Sequence, residues 1–426
     1  MALATRPQVR RVRTGHWPRP TLLVPWVFGI AGFLLSLWHG GRPSVWFDEL
    51  ATVSAIDRSP GELWHLLTNI DAVHGLYYWA VRTFSLVFGL DAGALRAFSA
   101  LGAGVAVAAC HALARRLGGE NFALVAGVIA LILPRLTWSG VEARSYSWVI
   151  ASAALVLIAA HRAVMSGDGA GRRPWVGYGG ALFLATVLFL YSATLAFAVA
   201  AVVAGSAAGC RRAQLRRVGI SSAAAIALAG PVAILAATQR DQVSWLRWPG
   251  WRIFQNVLVD QWFDHSYLFA AAAWIVLAAA ALLWWRGAPS NPEAVRWGLA
   301  GALVPLVVIL LVSPIVPSYV GRYVSFTVPG LVLVLAAAVS TVARLLPRPR
   351  VAGAAVLTVL VVAAIPGYLW QHSPLSKPGG AISATRRGTS TTTRGRATAC
   401  SSRCSRAGRG RRCRSCSTVS RTSSAA

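Results

Sequence analysis

Acidic residues are scarce and unevenly placed. The 426-residue chain has 13 Asp+Glu against 41 Lys+Arg, and no acid follows Glu293. Charged residues of both signs together make up 13%. A soluble domain usually carries about 25%, so a water-soluble globular fold is a poor match. No serine triad, P-loop or dinucleotide fingerprint is present, which removes the commonest soluble-enzyme readings. Cysteine is sparse, at six residues. Cys110 and Cys210 lie at or beside apolar runs and read as small hydrophobes. Cys400, Cys404, Cys413 and Cys416 cluster near the C-terminus, where the C-x2-C pair has only Val419 as apolar company, too little to build a zinc site.

What the chain does have is apolar sequence, 56% of it, in long runs separated by short basic stretches. That pattern predicts an all-α polytopic membrane protein. The first run, TLLVPWVFGIAGFLLSLW, follows five arginines (Arg6, Arg10, Arg11, Arg13 and Arg19) and ends at Trp38-His39 without a small-residue cleavage site, so it reads as a membrane helix rather than a signal peptide. Further helices are expected near 95–113, 121–136, 145–161, 175–190, 193–210, 218–237, 266–285, 297–313, 323–343 and 351–370, giving about eleven. The stretch 175–210 reads equally as one long helix or as two meeting at Tyr191-Ser192. Residues 1–20 would be a cytoplasmic basic N-terminus, 21–370 the membrane domain and 39–94 its first extracytoplasmic loop.

This arrangement explains the charge. The formal net charge is +28, which by itself suggests a nucleic-acid partner. Residues 377–426, with Lys377, 11 arginines and no acid, hold +12 of it and leave +16 over residues 1–376. In the eleven-helix topology most core arginines fall in cytoplasmic loops and nearly every core acid falls outside, as positive-inside bias requires. No nucleic acid is needed. Several arginines break the pattern: Arg42, Arg58, Arg82, Arg96, Arg144, Arg240, Arg247, Arg252 and Arg322 all fall at the outer side or its membrane edge. Pairing with acids or snorkelling accounts for some; Arg144 and Arg322 are the candidates for binding an anion.

The outer side also gathers the other candidate residues. Asp48 and Glu49 follow Trp46-Phe47 just after helix 1, where a carboxylate beside a dry cavity could take a proton from a hydroxyl; a solvent-facing acidic pair ending a helix is the bland alternative. Asp71 and His74 precede Tyr77-Tyr78 and could contact substrate, hold a divalent cation or simply cap a loop. No cofactor is required by these motifs, and a divalent cation is left open. Ser59-Pro60 opens an amphipathic stretch with Leu63, Trp64, Leu66 and Leu67 on its apolar side, and 75–90 is aromatic enough to lie along the interface. In WSGVEARSYSW, the residues Glu142, Arg144 and Tyr146 alternate, so an extended segment would put all three on one face. Pro134 is placed to loosen the helix just before them. Arg322-Tyr323 follow a proline-broken turn at the same boundary. Arginines facing carboxylates suit transfer from a phosphate-linked donor.

These fragments resemble the GT-C superfamily of membrane glycosyltransferases, in particular the branch with protein O-mannosyltransferases and lipid A aminoarabinose transferases. The matching pieces are PSVWFDELAT, the D-x-x-H-x-x-x-Y pattern of Asp71, His74 and Tyr78, LRAFSALGAG at 95–104, EARSYSW at 142–148 and GRYVSFTVPG at 321–330. The resemblance implies a GT-C-like bundle with interfacial helices in the first outer loop. It implies transfer of a sugar, mannose being preferred, from a polyprenyl-phosphate donor to a glycan, lipid or protein hydroxyl, with inversion. Asp48 would be the base and Glu49 its support. Arg144 and Arg322 would hold the donor phosphate, and Tyr146 and Tyr323 would line its path. His74 is followed by Gly75 where many relatives have His-Pro. The competing class, a transporter or lipid flippase, should place charges or broken helices near the midplane; the charges here gather at one boundary instead.

After Pro378-Gly379-Gly380 the composition changes. Residues 381–426 hold 11 Arg, 10 Ser, 8 Thr and 4 Cys without Leu, Phe, Tyr, Trp or acid. Such a segment cannot bury a core. Residues 371–426 therefore read as an atypical tail, disordered or translated from a shifted frame.

Overall fold

A computed structural model describes residues 23–166, 171–206, 211–243, 246, 250–287 and 289–377. The N-terminal arginines, Cys210, Arg247 and the segment after Lys377 lie outside the described residues. Among those residues every regular element is helical.

Helices occur at each of the eleven apolar stretches: α1 (Val24–Leu37), then α5 (Ala92–Gly118), α6 (Glu120–Ile132) with a short α7 (Pro134–Gly140), α8 (Tyr146–Met165), α9 (Arg173–Leu188), α10 (Leu195–Ala204), α11 (Arg211–Thr238), α12 (Tyr267–Arg286), α13 (Pro292–Val312), α14 (Val328–Ala343) and α15 (Pro349–Gln371). Seven of them, with α14 counted from Gly321, are long and apolar enough to cross a membrane, or eight if α6 and α7 form one bent span. The others are shorter: α1 has 14 described residues, and the stretches 121–136 and 175–210 are interrupted by local breaks. The helix expected over 121–136 stops at Leu133, which is extended (φ −66, ψ 118), because a residue before proline is pushed out of the helical region. Pro134 then starts α7 at its first turn, and the two pieces bend by 58°. Phe189 is likewise extended (φ −158, ψ 109), so 175–210 is two helices joined through a 3-10 turn at Leu190–Thr194.

The small residues of the sequence let helices touch backbone to backbone. A Cβ on Gly104 of α5 would sit 2.6 Å from the carbonyl oxygen of Gly29, so α1 can lie this close only because residue 104 is glycine. The central helix is α14, packed against α6, α12, α13 and α15. Its membrane window, counted from Gly321, is 89% buried, against 22% for α11, α12 and α15, which form the lipid-facing periphery.

Residues 39–91 form a cap of short helices: α2 (Phe47–Ile56), α3 (Pro60–Asn69) and α4 (Gly75–Phe88). Ser59 and Glu62 close a reciprocal capping box at the start of α3. Leu63 and Leu67 face inward, while Trp64 is 65% exposed, so the apolar side is narrower than the sequence suggested. In α4, Tyr77, Tyr78 and Val81 are buried and Leu86, Val87 and Phe88 are exposed.

Candidate active site

Trp46 is extended and α2 begins at Phe47, which puts Asp48 and Glu49 in the first helical turn, where carboxylates complement the helix dipole. Successive residues on a helix point about 100° apart. The two carboxylates therefore separate, and they meet different surroundings.

Glu49 is 2% exposed and points into protein. Arg96 of α5 grips it with two bonds, Nε to Oε1 at 2.8 Å and Nη2 to Oε2 at 2.6 Å. The remaining guanidinium donors go to the carbonyls of Gly40, Pro43 and Ser44, so the loop before α2 is held by the same side chain. Lys377 adds an ammonium 2.9 Å from Oε1, bonds Val141 O at 3.0 Å and lies over the Trp138 ring. The backbone N–H of Ala143 completes the cage at 2.9 Å. Burial pushes the Glu49 carboxyl up, but the hydrogen bonds from Arg96 and the charges of Lys377 and Arg96 outweigh it and hold the group below the usual carboxylate range. Lys377 belongs to the segment read as tail, yet residues up to 377 are packed: Ser44 bonds Pro374 O through both its N–H and its hydroxyl, and Gln371 and His372 are buried.

Asp48 lies on the other side, at a cavity of about 410 Å³. Its Oδ2 sits 3.0 Å from Nη2 of Arg322, an ion pair not aligned as a hydrogen bond. Arg322 comes from a 3-10 turn, Gly321–Thr327, and stacks over Trp46 and Tyr323. Arg144 reaches the same cavity from the bend between α7 and α8. Its Nη2 lies 2.7 Å from His74 Nε2 and its Nη1 bonds the Tyr78 hydroxyl at 3.2 Å, which in turn donates to Asp71 Oδ2 at 3.1 Å. Since a guanidinium can only donate, His74 accepts at Nε2 and carries its proton on Nδ1, which has no partner among the described residues. Burial, reinforced by the charges of Arg144 and Arg322, holds His74 well below its ordinary pKa and hence neutral.

The bend holds a buried carboxyl left without a hydrogen bond. Residues 141–145 are a tight turn, with Arg144 N donating to Glu142 O at 2.7 Å, rather than the extended stretch expected from alternation. The expected shared face of Glu142, Arg144 and Tyr146 is therefore lost: Arg144 lines the cavity and the other two do not. Glu142 is fully buried with both oxygens unpartnered. Burial raises its pKa above the usual range against the pull of Lys377 and Arg322. Tyr146 sits behind the wall, stacked on Tyr323 at 6.5 Å.

Of the residues singled out in the sequence, Asp48, Asp71, His74, Arg144, Arg322 and Tyr323 line this one cavity, Tyr78 braces it, and Glu49, Glu142 and Tyr146 lie outside its wall. Among the described residues no three His, Cys, Asp or Glu side chains come together to hold a metal. Asp71 and His74 are engaged by Tyr78 and Arg144 instead. Of the other arginines that break the charge pattern, Arg82 caps α2 through Ile56 O at 2.7 Å and Arg240 lines the cavity.

Several wall residues were not anticipated. Phe189, Leu190 and Tyr191 come from the α9–α10 break, Ala233, Ala236 and Ala237 from the end of α11, and Gln239 and Gln242 from the turn that follows it. Gln239 accepts from Ala72 N and donates to Leu67 O, both at 2.9 Å, tying α11 to the cap across the cavity. Lys377 was the most legible miss, because it is the only lysine in the chain.

No family model matches the sequence, and no curated protein matches it. Solved structures do. The apo structure of ArnT from Cupriavidus metallidurans aligns with a TM-score of 0.55 at 14% identity, over 83% of this chain and 76% of that one. ArnT of the same organism bound to undecaprenyl phosphate aligns at 0.54 and 14%, over 84% and 76%. The oligosaccharyltransferase of Archaeoglobus fulgidus aligns at 0.46 and 16%, over 82% of this chain and 48% of its own. The all-α, multi-pass fold of this protein is similar to that of ArnT.

Proposed function

We propose that this protein transfers a sugar from a polyprenyl-phosphate-linked donor to a hydroxyl acceptor, in one inverting displacement at the extracytoplasmic membrane face. What supports the reading is one observation above the others: a single apolar-walled cavity brings the Asp48 carboxylate together with the guanidinium groups of Arg144 and Arg322. The ArnT structure that carries undecaprenyl phosphate has the same fold, which is in keeping with a lipid-phosphate donor. Mannose is the preferred sugar on the motif resemblance, and the N-terminus is assigned to the cytoplasm on the arginine distribution.

In this mechanism Asp48 takes the proton of the acceptor O–H as its oxygen attacks the anomeric carbon. The bond from that carbon to the phosphate oxygen breaks, and the electron pair leaves on the polyprenyl phosphate. Arg144 and Arg322 stabilise that leaving phosphate by charge-assisted hydrogen bonds. In the resting protein Arg322 lies against Asp48. A donor phosphate competes for the same guanidinium and so frees the carboxylate for the acceptor, coupling donor binding to base activation. His74 keeps Arg144 aimed and, through its free Nδ1–H, offers a further donor to the sugar or phosphate. Tyr323 and Tyr191 line the donor path. Glu49 acts at one remove, by fixing the helix turn that carries Asp48.

The test is sugar transfer from labelled polyprenyl-phosphate donors in purified membranes, comparing wild type with Asp48→Asn. Loss of transfer by about 10²- to 10⁴-fold at unchanged protein abundance is expected for removal of a general base. Full retained transfer by the variant sinks the assignment of Asp48.

A further inference from the structure

A second cavity, of about 800 Å³, opens between α9 and α11 at the end of the bundle opposite the first. Both helices start at this end, with Arg172 and Arg173 before and at the start of α9 and Arg211, Arg212, Arg216 and Arg217 in the first turns of α11. The first cavity uses the far ends of the same two helices, at Phe189–Tyr191 and from Ala233 onward. The basic end of the groove, at Arg217, is sixteen residues of helix or about 24 Å from Ala233, while its apolar end, at Leu228, comes within five residues or about 8 Å of it.

The groove exists because the sequence leaves side chains out. Gly179 and Gly180 lie on its floor, and a Cβ on Gly180 would meet nothing within 4 Å. Its long walls are apolar: Val176, Phe183, Ile220 and Leu228, of which Val176, Ile220 and Leu228 are 59–69% exposed on the lipid side. Its basic end is polar. Arg172 and Arg217 both line it there. Trp175 lines it too; that residue is 5% exposed, and its indole N–H finds no acceptor among the described residues. A buried donor of this kind ordinarily has a partner. Two guanidinium groups and an unpaired N–H at the head of an apolar groove match an anionic head group continued by an acyl chain.

We propose that this groove is a binding site for an anionic glycerophospholipid of the leaflet at the arginine-rich end of the bundle. The phosphate lies between Arg172 and Arg217 and accepts the Trp175 N–H, and one acyl chain runs along Val176, Phe183, Ile220 and Leu228. The site is separate from the sugar-transfer reading and stands without it. Zwitterionic lipids present the same phosphate together with a cation that two arginines repel, so the site selects on net head-group charge.

The experiment uses the full chain in vesicles of phosphatidylcholine containing trace phosphatidylglycerol or phosphatidylcholine of identical diazirine-bearing acyl chains. Photolabelled peptides are mapped, with the exposed α12 positions Ile275 and Leu282 as the reference lipid surface. The phosphatidylglycerol-to-phosphatidylcholine labelling ratio at the groove should exceed that of the reference by about fivefold for each engaged arginine. The double variant Arg172→Gln/Arg217→Gln should bring it to the reference value. Trp175→Phe, which keeps the ring and removes the donor, should lower it partly in a protein that is otherwise unaltered. Equal ratios at groove and reference in wild type, or an excess that survives in the double variant, overturns the proposal. So does displacement of the label by an equimolar polyprenyl phosphate, which would assign the groove to the donor lipid.

Discussion

The cavity side and the buried side of α2 carry the same chemical group one residue apart. Asp48 is 18% exposed in its side chain and meets one arginine; Glu49 is 2% exposed and meets an arginine, a lysine and a backbone N–H. The difference follows from the helical turn between them, which rotates adjacent side chains onto different faces. It teaches that a doubled acidic motif can divide its labour. A carboxylate that is to exchange a proton must keep a lone pair accessible, whereas one that anchors a helix is best with every lone pair filled.

Substitutions that keep shape but remove charge should pull the two sides apart. The largest effect expected is on Asp48→Asn, with transfer reduced as above and thermal stability in detergent unchanged. In Glu49→Gln the pattern should reverse. Arg96 and Lys377 would face a neutral amide in a buried site, and breaking such a network typically costs about 3–5 kcal/mol. Thermal unfolding of the two variants side by side checks this; a stable Glu49→Gln protein lacking transfer would move Glu49 into the chemistry and erase the contrast.

Lys377→Met removes one of the two cations that hold Glu49 while keeping the length of the side chain. A loss of about 2–3 kcal/mol is expected, smaller than for Glu49 because Arg96 keeps its bidentate grip. An unchanged melting temperature would mean that residues 372–377 are not part of the anchor. On the cavity side, Arg322→Lys keeps the charge but not the planar fork. Transfer should fall by about tenfold, mainly in kcat, with stability preserved; a change confined to KM would mean Arg322 serves ground-state binding alone.

The smallest effect expected is in pH. His74 is held neutral, with a folded pKa below its unfolded value near 6.5. Its contribution to stability is complete above about pH 6.5 and is lost as pH falls below that, because only the unfolded chain then takes up the proton, at up to about 1.4 kcal/mol per pH unit. Glu142 acts in the opposite sense, since its raised pKa favours the folded state at lower pH. Melting temperatures of wild type and His74→Gln between pH 7 and 5.5 isolate the histidine, with the variant showing the flatter profile. Parallel profiles would show that His74 exchanges its proton freely in the folded protein.

Much of this was readable along the chain because it depended on neighbours in sequence. The break at Pro134 needs only the restriction that proline places on Leu133. The cap over α3 needs only Ser59 and Glu62. The cavity residues Asp48, Asp71, His74, Arg144, Arg322 and Tyr323 came from motifs whose outer placement the arginine pattern suggested. Harder to read were relations over distance. Nothing near Glu49 in the sequence points to Lys377, 328 residues away, and nothing near Phe189 or Gln239 marks them as wall. The alternation of Glu142, Arg144 and Tyr146 misled because side-chain period depends on backbone conformation, and a turn has no period of two.

Composition and apolar runs by themselves determined that the chain is a helical membrane protein, because backbone groups in hydrocarbon must bond within their own segment and helices do so locally. Only the tertiary structure decided which carboxylate faces the cavity, which arginine is spent on a loop, and where a lone lysine docks. Those outcomes depend on how helices from opposite ends of the chain pack, and packing is set by shape and small-residue contact in three dimensions rather than by local sequence.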